Sequence, residues 1–142
     1  MAKIVPLKKA DVFSAVEINA LRKQLSTHAK RVALPILKKM LANKDMEFWV
    51  AKDGAHIIGM GAVFFTLKLS GLTGCIEYVV VDGRYRGRGL GKILMSKLIE
   101  RAHIRRTNTV ELTSNPSRIT ANVMYKKLGF KKRDTNVYRL EL

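Results

Sequence analysis

The chain has 142 residues, with 27 Lys and Arg against 11 Asp and Glu, and a formal net charge of +16 at pH 7. That length suits one domain over residues 1–142, and 47% apolar content beside 27% charged excludes a disordered or fibrous chain. No apolar run approaches the ~18 residues of a membrane span, the first residues lack a signal-peptide core, and the single cysteine, Cys75, excludes an internal disulfide, so a cytoplasmic protein is expected.

Lys3–Leu7 reads as a short edge strand, and Asp11 as the N-cap of a helix carrying Phe13, Val16, Ile18, Leu21 and Leu25. A second helix carries Val32, Ala33, Ile36, Leu37, Met40 and Leu41, and Pro35 makes it start, or kink, near Leu34. Residues 47–52 and 55–67 read as strands joined by a hairpin at Asp53-Gly54, with Gly59 and Gly61 suggesting a bulge or a close backbone approach. After the loop at 70–74, Cys75–Val81 is a β-branched run suited to a central strand. A helix follows from Leu90 to about Arg105, then a strand over 110–113. Asn115-Pro116 then opens a helix that ends at Gly129, and Phe130–Leu142 supplies one or two last strands, with a turn at 134–136. This order predicts an α/β fold: a mixed sheet with helices on its faces.

The segment Val79-Val80-Val81-Asp82-Gly83-Arg84-Tyr85-Arg86-Gly87-Arg88-Gly89-Leu90-Gly91-Lys92 carries the most chemistry. A buried strand runs into alternating glycines and straight into a helix. Backbone N–H groups converge there without Cβ interference, beside the positive end of a helix dipole, which suits an anion. Arg86, Arg88 and Lys92 add charge fit for a pyrophosphate. A Walker A loop is excluded because Arg86 stands at its first glycine and Ile93 follows Lys92; the dinucleotide fingerprint fails at Lys92. What remains, Arg86-x-x-Gly89-x-Gly91, resembles the acyl-CoA pyrophosphate motif of the GCN5-related N-acetyltransferases (GNAT superfamily). Downstream, Arg118-x-x-Ala121-Asn122-x-x-Tyr125-x-x-x-Gly129-Phe130 is similar to the second motif of that superfamily.

The resemblance, to a small single-domain bacterial-type member, implies a mixed, mostly antiparallel sheet of six to seven strands flanked by about four helices and splayed at strand 75–81. It implies that the backbone of Val79, Val80 and Val81 pairs with the pantetheine arm of acetyl-CoA. It further implies that Arg86, Gly87, Arg88, Gly89, Leu90, Gly91 and Lys92 hold the pyrophosphate, and that Asn115 and Asn122 contribute to the cofactor site. Tyr125 matches the tyrosine that protonates the departing thiolate. Glu77 is placed like the glutamate of glucosamine-phosphate acetyltransferases and is the candidate base, directly or through water; its plain alternative is a strand carboxylate paired with a cation. Tyr125 has its own, an aromatic packing its helix. An oxyanion would meet a backbone N–H at Val80 or Val81.

Cys75 lacks a recognisable His partner among His28, His56 and His103, and reads as a packed residue rather than a nucleophile. Those histidines show no metal-ligand spacing, so no metal is expected. The leading reading is an acetyl-CoA-dependent N-acetyltransferase acting on a primary amine by direct attack in a ternary complex, as monomer or homodimer. Its acceptor is unidentified, and the basic surface favours an anionic or phosphate-bearing one. The alternatives are a basic nucleic-acid-binding module and a non-catalytic acyl-CoA-binding protein of the same fold. No membrane partner is expected.

Overall fold

The computed structural model describes residues 2–142, which group into two units, 2–112 and 113–142. The first contains β1 (Lys3–Pro6), α1 (Val12–Leu25), α2 (Leu34–Leu41), β2 (Met46–Asp53), β3 (His56–Lys68), β4 (Gly71–Val81), a 3-10 turn (Gly83–Tyr85), α3 (Leu90–Ile104) and β5 (Thr109–Glu111). The five strands form one sheet in the order β1-β2-β3-β4-β5, antiparallel except for the parallel β4–β5 pair.

A capping box starts α1: Asp11 Oδ1 accepts from the Ser14 amide at 2.8 Å, and Ser14 Oγ from the Asp11 amide at 2.8 Å. The helix buries Ala15, Ile18 and Leu21. Phe13 and Val16, expected on the buried stripe, are exposed, because the 3.6-residue period carries both to the side opposite Ile18. Ile36 of α2 is exposed for the same reason, while Leu37 is buried. The second helix does start at Leu34, with Pro35 in its first turn, where a missing N–H costs nothing.

The two sheet faces carry different cores. Ala15, Ile18, Leu21 and Leu37 pack over Phe48, Met60 and Ala62, so α1 and α2 share one face. On the other, Leu94 and Leu98 of α3 lie so close to β3 that a Cβ at Gly61 would sit 2.8 Å from Leu98 Cδ1, and one at Gly59 3.1 Å from Leu94 Cδ1. The close approach expected at these glycines is therefore met. So is the bulge: the β3–β4 register jumps between Met60 opposite Val80 and Ala62 opposite Glu77, leaving Gly61 facing two residues. Tyr78, one of those two, adopts φ 63°. Strand β4 starts earlier than expected, at Gly71, because Leu72 and Thr73 pair with Leu67 and Thr66 of β3.

In the second unit α4 spans Ile119–Lys127 and begins later than expected. Asn115 accepts from the Ser117 amide at 2.9 Å, closing a local turn that competes with helix entry. The far end agrees with expectation. Gly129, at φ 99°, donates to Lys126 O at 3.1 Å, and Phe130 donates to Tyr125 O at 3.0 Å. These two bonds are the Schellman arrangement, and the C3 and C″ side chains meet in it, Tyr125 and Phe130 lying edge to face at 6.1 Å. The expected strands over Phe130–Leu142 are a correction. Residues 131–142 are exposed and carry no strand, so the described sheet has five strands, not six or seven. Alternation at Tyr138, Leu140 and Leu142 supplies a strand pattern, but a strand also needs a ladder partner.

Candidate functional site

The site grows from the way β4 leaves the sheet. Its pairing with β5 ends at Cys75 opposite Glu111, yet β4 runs on to Val81, laddered there with β3. Past Cys75 the two parallel strands part, and no strand lies on that side of residues 76–81 among the described residues. This is the splay expected at 75–81. It leaves an extended backbone edge against which a linear amide-bearing chain can add.

At the end of that edge lies the glycine loop. Gly87 and Gly89 both adopt φ 78°, and a Cβ on either would meet nothing within 4 Å, so each faces open space. Gly89 is the N-cap of α3 and supplies no side-chain acceptor, and the helix has no acidic residue in its first turn. The first N–H groups of α3 therefore receive no side-chain cap from Gly89. Leu90 is buried, so only its backbone can contribute, and Gly91 is half-buried.

Around the loop, Arg86 Nε donates to Val81 O at 3.0 Å and its Nη2 to Gln24 Oε1 at 3.4 Å. The Arg88 guanidinium lies 5.2 Å from the Tyr85 ring centroid, and Lys92 is exposed. The approach is shaped by Asp82, whose carboxyl is held down to about 2 by hydrogen bonds from the Arg84 side chain and backbone. Gln24 has no counterpart in the sequence reading. It also accepts from the Gly83 amide at 2.9 Å, binding the last turn of α1 to the loop. No local motif announces it, because its partners lie about sixty residues away.

Glu77 sits on β4 directly before the bulge, opposite Ala62, and is half-buried. Cys75 donates to its Oε1 at 3.5 Å. Burial, then the charges and hydrogen bonding of Glu77 with Glu111 beyond, push the Cys75 thiol up to about 11, so it is a thiol and not a thiolate at neutral pH. Residues opposite one another in an antiparallel ladder project to the same face. Glu77 pairs with Ala62 and Cys75 with Phe64, and Ala62 and Phe64 belong to the α1–α2 core, so Glu77 projects to the α1–α2 side.

In the second unit Tyr125 is buried and Asn122 half-buried. Asn122 Nδ2 donates to Asn115 O and Arg118 O, each at 2.9 Å, so its amide holds the turn that precedes α4. Asn115 itself is exposed, closing that turn. The hydroxyl of Ser114 is buried and finds no hydrogen-bond partner among the described residues.

The family-model comparison matches residues 16–130 to the acetyltransferase (GNAT) family. The chain belongs to the GNAT family. It is 38% identical over 80 residues to the L-2,4-diaminobutyric acid acetyltransferase of Shouchella clausii, covering 56% of this chain and 44% of that protein. The chain spans less than half the length of the curated relatives it matches. Glucosamine-6-phosphate N-acetyltransferase from Arabidopsis thaliana superposes at TM-score 0.78 with 23% identity, covering 99% of this chain and 98% of that one. A Clostridium acetobutylicum predicted acetyltransferase solved with acetyl-CoA superposes at 0.76 with 19% identity, covering 99% and 96%. The fold is thus the GNAT fold, with five strands and four helices described.

In this GNAT chain part of the positive charge is already engaged. Glu47 accepts from Arg101 Nε at 2.7 Å, Arg105 Nε at 3.0 Å and Trp49 Nε1 at 3.2 Å. Burial raises the Glu47 carboxyl, but these bonds and the Arg101 charge outweigh it and hold the group below its usual range. Arg105 also covers Phe65 at 4.4 Å, and Lys97 lies over Trp49 at 5.3 Å. Three cations of the dense run 84–106 therefore fasten α3 to β2 and β3.

Proposed function

We propose that this protein is an acetyl-CoA-dependent N-acetyltransferase that acetylates a primary amine by direct attack in a ternary complex. The observation that carries the reading is the conjunction of a β4–β5 ladder that stops at Cys75 while β4 runs on to Val81 with an uncapped helix start and two left-handed glycines facing open space. When bound, acetyl-CoA supplies an activated thioester and a diphosphate. The loop Arg86–Lys92 holds the diphosphate through backbone N–H groups and its three cations, and the backbone of Val79–Val81 holds the amide-bearing arm.

Glu77 takes a proton from the acceptor ammonium, directly or through water, leaving a lone pair to attack the carbonyl carbon. An N–H at Val80 or Val81 receives the developing oxyanion. The family resemblance gives Tyr125 the return of a proton to the sulfur as the C–S bond breaks, and Asn115 and Asn122 a part in holding the cofactor. The raised Cys75 thiol supports direct attack over an acyl-enzyme, since a neutral thiol is a poor nucleophile.

Release of free thiol from acetyl-CoA across a panel of amines tests this reading. Turnover with at least one amine is expected. A protein that binds acetyl-CoA yet turns over none would be the non-catalytic alternative.

A further inference from the structure

Both arginines of the glycine loop are held by groups that the glycine pattern does not contain. Arg86 Nη2 donates to Gln24 Oε1 at 3.4 Å, and the same oxygen accepts from the Gly83 amide at 2.9 Å. Arg86 Nε meanwhile donates to Val81 O at 3.0 Å. One guanidinium is thus fixed at two nitrogens, by the end of β4 and by the last turn of α1. Hydrogen bonds from Arg84, joined by one from Gln24, hold the Asp82 carboxyl down. An amide suits this place between an arginine and a carboxylate, because its oxygen accepts while its nitrogen donates. Arg88 is held from the α3 side of the sheet. Its guanidinium lies 5.2 Å from the Tyr85 ring centroid, and Tyr85 packs against the cluster of Leu90 and Leu94. The Tyr85 hydroxyl donates to Asp53 Oδ2 at 3.0 Å, which ties the ring to the end of β2.

Contacts among exposed side chains add little to stability one by one. Their effect here is on freedom of movement: an arginine already held in one geometry loses less entropy when it meets an anion. Gly87 and Gly89 bring no side chain of their own, so the placing of charge around the loop falls to its cations. We infer that Gln24 and the Tyr85–Asp53 pair are positioning residues of the diphosphate site, presetting Arg86 and Arg88 before the anion arrives. This rests on the acetyltransferase reading and extends its cofactor site to α1 and to the β2–β3 hairpin.

The test compares acetyl-CoA with acetylpantetheine, a donor that carries the same thioester arm and lacks the diphosphate. Gln24→Met keeps a chain of similar length and good helix propensity while removing both amide functions. Tyr85→Phe keeps the ring beside Arg88 and removes the bond to Asp53. Each variant should bind coenzyme A about threefold to tenfold more weakly by calorimetric titration. Its kcat/KM should fall by the same factor with acetyl-CoA and stay within about twofold of wild type with acetylpantetheine. Made in an Arg86→Gln protein, Gln24→Met should weaken coenzyme A binding less than it does in the wild type, since the two residues act through one contact. Wild-type affinity for coenzyme A in either variant would overturn the inference for the arginine concerned. An equal loss with both donors, or an undiminished loss in the Arg86→Gln background, would leave a structural role only and overturn it as well. A wild type that binds no coenzyme A would overturn the acetyltransferase reading, and this inference with it.

Discussion

Glu47 shows how much a single carboxylate can organise in so basic a chain. Two guanidinium groups and an indole converge on it at 2.7–3.2 Å. Removing one partner of such a half-buried cluster strands the others. Glu47→Gln should cost about 1.5–3 kcal/mol in denaturant unfolding at pH 7. Because the folded carboxyl lies below its ordinary value of 4.5, its stabilisation is present above that pH and lost as the pH falls through the folded value. The gap between wild type and variant should therefore narrow as the pH falls from 4.5 through the lower folded value; a gap that persists unchanged would remove the ion cluster as its cause. Glu77 carries a chemical prediction instead. Glu77→Gln should lower kcat/KM by about 10²–10⁴ at neutral pH while leaving acetyl-CoA affinity unchanged. Tyr125→Phe should lower kcat and spare that affinity as well; an unaltered kcat would leave Tyr125 only its packing on Phe130.

At the level of elements, the motif Tyr-x-x-x-Gly-Phe has a physical meaning that its spacing already contained. Tyr125, Gly129 and Phe130 are C3, C′ and C″ of one Schellman cap, and the glycine alone accommodates φ 99° without strain. Gly129→Ala should destabilise the protein by about 1–2 kcal/mol, read as a lower midpoint of thermal unfolding. Signals of this kind, local in sequence, were legible: the Asp11 cap, Pro35 at the start of α2, the hairpin at Gly54 and the left-handed glycines before α3. Signals that depend on a distant partner were not. Gln24 reaches Gly83, Asn19 clasps Val32, and Glu47 gathers Arg101 and Arg105, each across a separation that no window of sequence spans. The absent strands after Phe130 belong to the same class, since alternation declares a face and not a neighbour. The left-handed residue at the β4 bulge is Tyr78, not a glycine, so the sequence marked that bulge only from the opposite strand, at Gly59 and Gly61.

Over the whole molecule, the charge of +16 divides by use. Lys97, Arg101 and Arg105 fasten α3 to the sheet, while Arg86, Arg88 and Lys92 surround the glycine loop. A positive field around a diphosphate site speeds capture of an anionic ligand and makes that capture sensitive to salt. Raising the salt should therefore weaken acetyl-CoA binding mainly through a slower on-rate, measured by stopped-flow mixing. The central claim, that the glycine loop at the end of β4 grips the diphosphate of coenzyme A, is tested most directly by calorimetric titration of coenzyme A into the wild type and Gly89→Val. The account predicts stoichiometric heat for the wild type and none for a folded Gly89→Val protein, whose side chain would fill the open space over the loop. Absence of binding to the wild type, or equal binding to both proteins, would contradict it.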